Sequence, residues 1–292
     1  MILLLGGAGY VGTEYQRYFA RHGWPYLAPK RREADYTRPE VLQRLIREHR
    51  PKWLVNCAGY TGKPNVDACE SHKAECLHGN AVLPGMIREV CEAEKLPWGH
   101  VSSGCVYNGS HPDGRGFRET DRPNFSFRSP PCSFYSGSKA LGEEVLEGAE
   151  NCWIWRLRIP FDHIDSPRNY LTKVMRYDKL LEATNSLSHL GEYVRATLAT
   201  LERDVPAGIY NVTQPGEITT REVVDLILES GVLKKEFQFF ANEADFMTKA
   251  AITPRSNCVL DASKLLATGI ELTPVNEAVV NALKNWQPAV NS

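Results

Sequence analysis

Short apolar runs alternate with helix-length amphipathic segments in the first half of the chain. The run Ile2–Leu5 is continuously apolar and is followed by glycines, which is typical of a strand buried on both faces. The pattern predicts strands at Ile2–Leu5, Pro25–Ala28, Trp53–Val55, Trp98–Ser102 and Trp153–Leu157, and helices that include Tyr10–His22, Ala81–Ala93 and Tyr135–Leu146. This alternation predicts an α/β fold with a doubly wound, Rossmann-type parallel sheet and helices on both faces.

Two further helix starts are marked by possible capping boxes. Thr37 and Glu40 have the required spacing, which makes Thr37 the expected N-cap of the second helix. Thr219 and Glu222 repeat the spacing before a helix that Gly231 would end.

The strand–helix pattern weakens after about residue 160. Helices are still expected at Asn169–Leu181 and Thr220–Ser230, and residues 108–132 predict a long loop rich in Gly, Pro, Ser and Asn. Loops of this length in a compact protein are often functional. We expect a dinucleotide-binding domain over 1–160 and a smaller C-terminal substrate-binding lobe over 161–292, with some later segments returning to the first domain.

Composition and charge exclude several classes of protein. The 292 residues are 42% hydrophobic, which is enough to fill a core and argues against low-complexity disorder. With 34 Lys+Arg against 35 Asp+Glu, we expect neither nucleic-acid binding nor charge-driven membrane binding. The apolar start Met1–Leu5 is far shorter than the roughly 20 residues of a membrane span, and it has no basic flank. We therefore expect a cytoplasmic protein.

The eight cysteines are scattered along the chain. They form no Cys-x-x-Cys pair and no Cys/His cluster at zinc spacing, so we expect no metal site. Most should be reduced, buried small residues.

A glycine-rich loop follows the first strand and opens the first helix. Gly6, Gly9 and Gly12 have G-x-x-G-x-x-G spacing, and Tyr10 and Val11 lie between the last two glycines. Glycines allow the backbone to approach a diphosphate, which binds the free N–H groups at a helix N-terminus. The position of the loop within a strand–helix–strand unit predicts a dinucleotide site.

The end of the second strand bears on the choice of cofactor. It reads Lys30-Arg31-Arg32, with no acidic residue before Glu33. A basic residue here suits the extra phosphate of NADP, whereas NAD binders usually have an acid. We expect NADPH, with NADH as a second option; the alternative is a solvated basic turn.

Tyr135 and Lys139 are four residues apart, on one face of a predicted helix. They follow a strand that ends in Ser102-Ser103, at the edge where ligands bind in such sheets. A phenol with an ordinary pKa near 10 needs a neighbouring cation to act as an acid or base near neutrality. We expect Lys139 to provide that charge.

These motifs together resemble the extended short-chain dehydrogenase/reductases. The resemblance includes the glycine loop, Asn56-Cys57-Ala58-Gly59, Asn80, Ser103, Tyr135 and Lys139. It extends to the dTDP-4-dehydrorhamnose reductases and, more closely, to the bifunctional 3,5-epimerase/4-reductases of UDP-rhamnose synthesis. The segments that carry it are Asn65-Val66-Asp67, Gly104-Cys105, Pro167-Arg168-Asn169 and Pro254-Arg255-Ser256-Asn257.

The resemblance implies hydride transfer to the 4-keto carbon of a nucleotide-linked 4-keto-6-deoxyhexose. Tyr135 would donate the proton, Ser103 would hydrogen-bond the developing alkoxide, and Lys139 would lower the pKa of Tyr135. It also implies cofactor contacts by Asp35, Tyr36, Cys57, Ala58, Gly59 and Asn80, and substrate contacts by Arg168, Asn169, Arg255 and Asn257. The alternative for Arg255 is an ordinary surface arginine.

Epimerisation would require an acid/base pair beside the sugar, and the resemblance points to Cys105 and Lys173. We expect Cys105, two residues beyond Ser103, to share its side of the strand pleat. A nearby cation would give Cys105 thiolate character, and Lys173 would need burial or a cationic neighbour to lose its proton. Alternatively, Cys105 is a buried strand residue and Lys173 a solvated helix residue.

Two other functions remain open. The protein could carry out the 4-keto reduction only, or it could be a non-catalytic regulatory subunit with the same fold. The presence of Ser103, Tyr135 and Lys139 argues against the second. The expected partner is a nucleotide-diphosphate sugar, and we allow for a homodimer.

Overall fold

Six parallel strands form the centre of the fold in this computed structural model, which describes residues 1–63 and 65–288. The strands of the described residues are β1 (Ile2–Leu5), β2 (Tyr26–Leu27), β3 (Trp53–Asn56), β4 (Trp98–Ser103), β5 (Cys152–Leu157), β6 (Pro160–Phe161), β7 (Lys179–Leu180), β8 (Thr184–Asn185), β9 (Ser188–His189), β10 (Gly208–Asn211), β11 (Ile218–Thr219) and β12 (Gln238–Phe239). The large sheet has the order β10-β5-β4-β3-β1-β2, and all neighbouring strands in it are parallel. The predicted doubly wound parallel sheet is confirmed.

Helices pack on both faces of this sheet. They are α1 (Tyr10–His22), α2 (Pro39–His49), α3 (Lys73–Leu77), α4 (Leu83–Ala93), α5 (Phe134–Glu144), α6 (Tyr170–Arg176), α7 (Leu190–Glu202), α8 (Thr220–Ser230), α9 (Glu243–Lys249), α10 (Ser263–Leu266) and α11 (Val275–Lys284). A π-helical turn joins α3 to α4, and 3₁₀ turns lie at Val66–Glu70 and Gly104–Val106. Within residues 1–63 and 65–288, no helix is long and apolar enough to cross a membrane.

Alternate side chains of β1 enter two different cores. Ile2 and Leu4 pack with residues of α1 and α7, whereas Leu3 and Leu5 pack with residues of α2 and α4. Because successive side chains of a strand point to opposite faces, a strand between two helical layers must be apolar throughout. This explains the continuous apolar run of the sequence.

The second half of the chain builds a lobe with its own core around Phe161, Leu171, Val223 and Val279. Its short strands form three two-stranded sheets, whereas β10 returns to the large sheet beside β5. The division at residue 160 stays a prediction, and residues 289–292 of the predicted lobe lie outside the described residues.

The two predicted capping boxes have different outcomes. Thr219 and Glu222 form a complete capping box at the start of α8, and Gly231 ends the helix in the left-handed conformation. The prediction for Thr37 is wrong, because Arg38 is the N-cap residue of α2. The Thr37 hydroxyl instead donates a hydrogen bond to Oδ1 of Asp35, at 2.6 Å.

The predicted helix at Asn169–Leu181 is wrong in its extent. Asn169 caps α6, but the helix ends at Arg176 and the chain continues into β7, which pairs with β12. Lys235 Nζ donates to the carbonyls of Met175 and Tyr177, at 3.2 and 2.6 Å. A lysine distant in sequence therefore satisfies carbonyls at the helix end, and local periodicity could not show this.

The cysteines agree with the prediction of reduced, mostly buried residues. All eight are free, and all except Cys57 and Cys132 are buried.

Candidate active site

The glycine loop lies at the point where the strand order of the sheet reverses. β1 has β2 on one side and β3 on the other, and ligands bind outside the carboxyl ends of strands at such a point. A Cβ on Gly6 would lie 2.5 Å from the Ala58 nitrogen, and one on Gly12 would lie 2.3 Å from the Gly6 carbonyl oxygen. Gly6 also has a φ of +75°, so glycine is required on both steric and conformational grounds.

The N-terminus of α1 is open toward this loop. Gly9 is the N-cap residue, no side chain caps the helix, and the first turn contains no acidic residue. The N–H groups that begin the helix, at Tyr10 and Val11, are therefore suited to an anion such as a diphosphate. The hydroxyl of Tyr10 is buried without a hydrogen-bond partner among the described residues, and burial together with Asp162 raises its pKa.

A cavity of about 750 Å³ extends from the glycine loop across the ends of β1, β2 and β3. It has the size of a typical ligand site. Thr37 lines it, together with seven of the predicted cofactor residues, namely Gly6, Gly9, Arg31, Tyr36, Cys57, Ala58 and Gly59. The open helix end and the cavity together fit a dinucleotide.

Only part of the basic run faces the cavity. Arg31 lines it, whereas Lys30 and Arg32 approach Glu33 to within 3.9 and 3.6 Å. The Tyr36 hydroxyl accepts a hydrogen bond from the Gly6 N–H at 3.2 Å, which connects the segment between β2 and α2 to the glycine loop. The cofactor role of Lys30 stays a prediction that this geometry does not favour.

Asn80 connects the cavity wall to α5. Its Oδ1 accepts from the Tyr60 N–H at 2.8 Å, and its Nδ2 donates to the Tyr60 carbonyl at 2.9 Å and to Ser138 Oγ at 3.0 Å. Asn80 is fully buried and its amide is bound within the protein. It supports the wall, and its direct contact with a cofactor stays a prediction.

Ser103, Tyr135 and Lys139 lie at the same sheet edge. Ser103 ends β4, and the other two residues occupy the first two turns of α5. The buried Lys139 donates from Nζ to the Val101 carbonyl at 3.1 Å, and burial lowers its pKa. Burial raises the pKa of Tyr135, while the Ser103 hydroxyl acts in the opposite direction; the expected lowering of this pKa by Lys139 stays a prediction.

Cys105 lies beside Ser103, but not for the expected reason. β4 ends at Ser103 and Cys105 is in the following 3₁₀ turn, so the argument from the strand pleat is wrong. The Cys105 N–H donates to Ser103 Oγ at 3.2 Å. The thiol is buried, which raises its pKa, while Ser103 and Ser136 act in the opposite direction.

Lys173 of α6 forms a cationic cluster with two arginines, Arg168 and Arg255. Burial lowers the pKa of Lys173, and Arg168 and Arg255 lower it further. Lys173 is half-buried on α6. The structure thus supplies both conditions expected for a lysine base, burial and cationic neighbours.

The two arginines are held by the segment that follows β3. Arg168 donates to Thr61 Oγ1 at 3.1 Å and to the Gly62 carbonyl at 2.9 Å. Arg255 donates to both carboxylate oxygens of Asp67, at 2.6 and 2.7 Å. The motif Asn65-Val66-Asp67 indicates no role for Asp67, and a separation of 188 residues from Arg255 could not reveal the pair.

The two predicted substrate asparagines form hydrogen bonds within the protein. Asn169 is fully buried, and its Nδ2 donates to the carbonyls of Asp162 and Ile164, at 2.7 and 2.8 Å. Asn257 Oδ1 accepts from Asn185 Nδ2 at 3.3 Å. The geometry favours structural roles, and substrate contacts by Asn169 and Asn257 stay predictions.

The fold also brings together three side chains that the sequence analysis did not group. Asp162, His163 and His189 place one potential metal-binding atom each within 4.8 Å of one another. His163 Nδ1 lies 2.7 Å from Asp162 Oδ1, and His189 Nδ1 accepts from the Glu192 N–H at 3.3 Å. Potential metal-binding atoms of Asp162, His163 and His189 therefore already have partners within the protein.

A doubly wound parallel sheet with a glycine loop at its switch point, and Ser103, Tyr135 and Lys139 at the same edge, defines an extended short-chain dehydrogenase/reductase fold. The model of the RmlD substrate binding domain family matches residues 1–287, and the chain belongs to this family.

Two curated plant relatives combine epimerase and reductase activities in their names. The bifunctional dTDP-4-dehydrorhamnose 3,5-epimerase/dTDP-4-dehydrorhamnose reductase of Arabidopsis thaliana is 32% identical, over 95% of this chain and 90% of the relative. A trifunctional UDP-glucose 4,6-dehydratase/UDP-4-keto-6-deoxy-D-glucose 3,5-epimerase/UDP-4-keto-L-rhamnose-reductase of the same plant is 33% identical over 95% of this chain. The chain spans 41% of the length of that relative.

Solved structures share the fold over nearly the whole chain. The L780 UDP-rhamnose synthase of Acanthamoeba polyphaga mimivirus has a TM-score of 0.88 at 20% identity, covering 97% of this chain and 98% of the other. The dTDP-4-dehydrorhamnose reductase of Bacillus anthracis in complex with NADP has a TM-score of 0.80 at 18% identity, covering 97% of each chain.

Proposed function

We propose that the protein reduces the 4-keto group of a nucleotide-linked 4-keto-6-deoxyhexose with NADPH and also epimerises the sugar at carbons 3 and 5. The product would be a nucleotide-rhamnose-type sugar. One observation carries the proposal: burial raises the pKa of the Cys105 thiol beside Ser103, whereas burial and two arginines lower the pKa of Lys173. The family and the activities named for its relatives support the same reaction class.

For the reduction, NADPH supplies the hydride when it is bound. The raised pKa of Tyr135 keeps the phenol protonated, so that it can give its proton to the alkoxide that develops at carbon 4. The Ser103 hydroxyl beside the phenol can donate a hydrogen bond to the same oxygen. The ammonium group of Lys139, held by the Val101 carbonyl, stabilises the developing negative charge.

For the epimerisation, two groups with oppositely shifted pKa values divide the proton transfers. Lys173, whose pKa is lowered by burial and by the two arginines, acts in its neutral form as the base that removes the proton from the carbon next to the 4-ketone. The resulting enolate receives a proton on its opposite face from the thiol of Cys105, whose pKa is raised. Such paired environments identify which group is the acid and which the base.

Two features support the choice of ligands. Arg31 in the cavity wall favours NADPH through its planar donors, which bind phosphate well, and NADH is the second option. Arg168 near Lys173 provides positive charge for a diphosphate, and a substrate contact by Arg255, whose charge is balanced by Asp67, stays a prediction. A homodimer and a cytoplasmic location stay predictions.

Incubation with a 4-keto-6-deoxy sugar nucleotide and NADPH in deuterated water tests the proposal. We expect oxidation of NADPH and deuterium at carbons 3 and 5 of the product. Oxidation without deuterium at these carbons would leave a 4-keto reductase only. If neither occurs, the regulatory subunit becomes the better interpretation.

A further inference from the structure

The carboxylate of Asp35 is bound by its own loop at the edge of the cofactor cavity. Its Oδ1 accepts the Thr37 hydroxyl at 2.6 Å and the Thr37 N–H at 3.4 Å, and Arg31 Nε lies 3.9 Å away. Arg31, Tyr36 and Thr37 line the cavity, whereas Asp35 does not. The Asp35 carboxylate is thus held by Thr37 outside the cavity lining to which Arg31 contributes.

This arrangement matters because the two nicotinamide cofactors differ here by one group. NADPH carries a phosphate on the adenine ribose where NADH has a hydroxyl. A carboxylate that faces this position repels the phosphate and accepts hydrogen bonds from the hydroxyl. The two residues after Asp35, Tyr36 and Thr37, line the cavity, so Asp35 lies at its edge.

Thr37 is available for this interaction because it does not cap α2. Arg38 is the N-cap residue and Pro39 begins the helix, so the Thr37 hydroxyl has no role in satisfying the helix end. It binds Asp35 instead. The bond to Thr37, with further contributions that include Arg31, also holds the pKa of Asp35 below its ordinary value, so the carboxylate is charged at neutral pH.

We propose that Thr37 determines cofactor specificity by holding the Asp35 carboxylate away from the position of the adenine ribose. Arg31 is then left as the charged group that meets the cofactor phosphate. Loss of the Thr37 hydroxyl would free Asp35 to rotate into the cavity. The binding of NADPH would then become weaker, whereas the binding of NADH would stay the same or become stronger. This inference rests on the proposed use of NADPH.

The test measures dissociation constants of NADPH and NADH for the full-length protein by isothermal titration calorimetry, which does not depend on activity. Thr37→Val removes the hydroxyl at nearly constant volume, and Thr37→Ser is the matched control that keeps it. We expect Thr37→Val to raise the dissociation constant for NADPH about tenfold, with that for NADH unchanged or lowered. Thr37→Ser should keep the ratio of the unmodified protein.

A double-mutant comparison shows whether Thr37 acts through Asp35. Asp35→Asn should strengthen the preference for NADPH, and Thr37→Val should have no further effect on the ratio in that background. The proposal is overturned if Thr37→Val weakens both cofactors equally, or if the shift persists in the double variant. Thermal unfolding checks that each variant is folded. If Thr37→Val does not fold, Asp35→Asn still tests whether the Asp35 carboxylate opposes the binding of NADPH.

Failure of the inference and failure of the proposed function give different results. If the unmodified protein binds NADPH tightly and Thr37→Val changes nothing, only the role of Thr37 is lost. If the unmodified protein binds NADH as tightly as NADPH, or binds neither, both the cofactor assignment and the inference fail.

Discussion

The carboxylate of Glu143 is bound on both oxygens by the guanidinium of Arg156, and both side chains are buried. Arg156 Nη2 lies 2.7 Å from Oε2, and Nε lies 3.1 Å from Oε1, which also accepts the Ser102 hydroxyl at 2.6 Å. Glu143 is one helical turn beyond Lys139 on α5, and Arg156 pairs with Ser102 across β4 and β5. The ion pair therefore joins the three elements that carry or flank the proposed catalytic groups.

We expect Arg156→Met to lower the free energy of unfolding by roughly 3–5 kcal/mol, because it leaves a charged carboxylate buried without its partner. Removing both charges, with Glu143→Leu and Arg156→Met together, should recover part of the loss. Urea denaturation gives both values. Arg128→Met is the control, since Arg128 forms a similar pair with Glu144 at the surface and should matter little. An equal effect of the buried and the exposed substitution would contradict the argument.

Tyr135→Phe should abolish most of the reduction while keeping the ring packing. Loss of one general acid typically costs about 10²–10⁴ in rate. The measurement is NADPH oxidation with a substrate that has already been epimerised, so that the result reports carbon 4 alone. Tyr177→Phe, at an exposed position, is the control and should keep the unmodified rate. Unchanged reduction by Tyr135→Phe would show that another group donates the proton.

Cys105→Ser and Lys173→Ala should each suppress deuterium uptake at carbons 3 and 5. Both variants should still reduce an epimerised substrate, because neither side chain acts at carbon 4 in the proposed mechanism. Cys132→Ser is the matched thiol control, since Cys132 is partly exposed and has no proposed role. Uptake at unmodified rates in both variants would leave a 4-keto reductase without epimerase activity.

The elements that the sequence predicted well are those fixed by local physics. The apolar strands and α1 follow from hydrophobic period, and the glycine loop follows from spacing. The placement of Ser103, Tyr135 and Lys139 at one edge could be predicted because parallel strands share their carboxyl ends. Local spacing wrongly predicted Thr37 as the N-cap residue of α2, because the Thr37 hydroxyl is bound to Asp35, two residues earlier.

The remaining features depend on how the second half of the chain covers the first. Arg255 binds Asp67, which is 188 residues away in sequence, and Arg168 binds Thr61, which is 107 residues away. No periodicity encodes contacts of this kind. Cys105 lies close to Ser103, as predicted, but the cause differs. The prediction relied on the pleat of a strand, whereas a 3₁₀ turn after β4 places Cys105 there.

The pH dependence of epimerisation gives a direct test of the cationic cluster. Lys173 must be neutral to accept a proton, so deuterium uptake should rise with pH through the pKa of Lys173. Burial, Arg168 and Arg255 all lower that pKa. Arg168→Gln removes one cation, which makes the protonated form of Lys173 less costly and raises its pKa toward the ordinary value. The rising limb of the pH profile should therefore move to higher pH, and uptake at neutral pH should fall.

The midpoint of this limb is measured at saturating substrate, so that weaker substrate binding does not imitate the shift. Arg176→Gln is the control on the same helix, because the charge of Arg176 is paired with that of Asp165. A limb that stays in place or moves to lower pH in Arg168→Gln would exclude Lys173 as the base whose pKa the cluster controls.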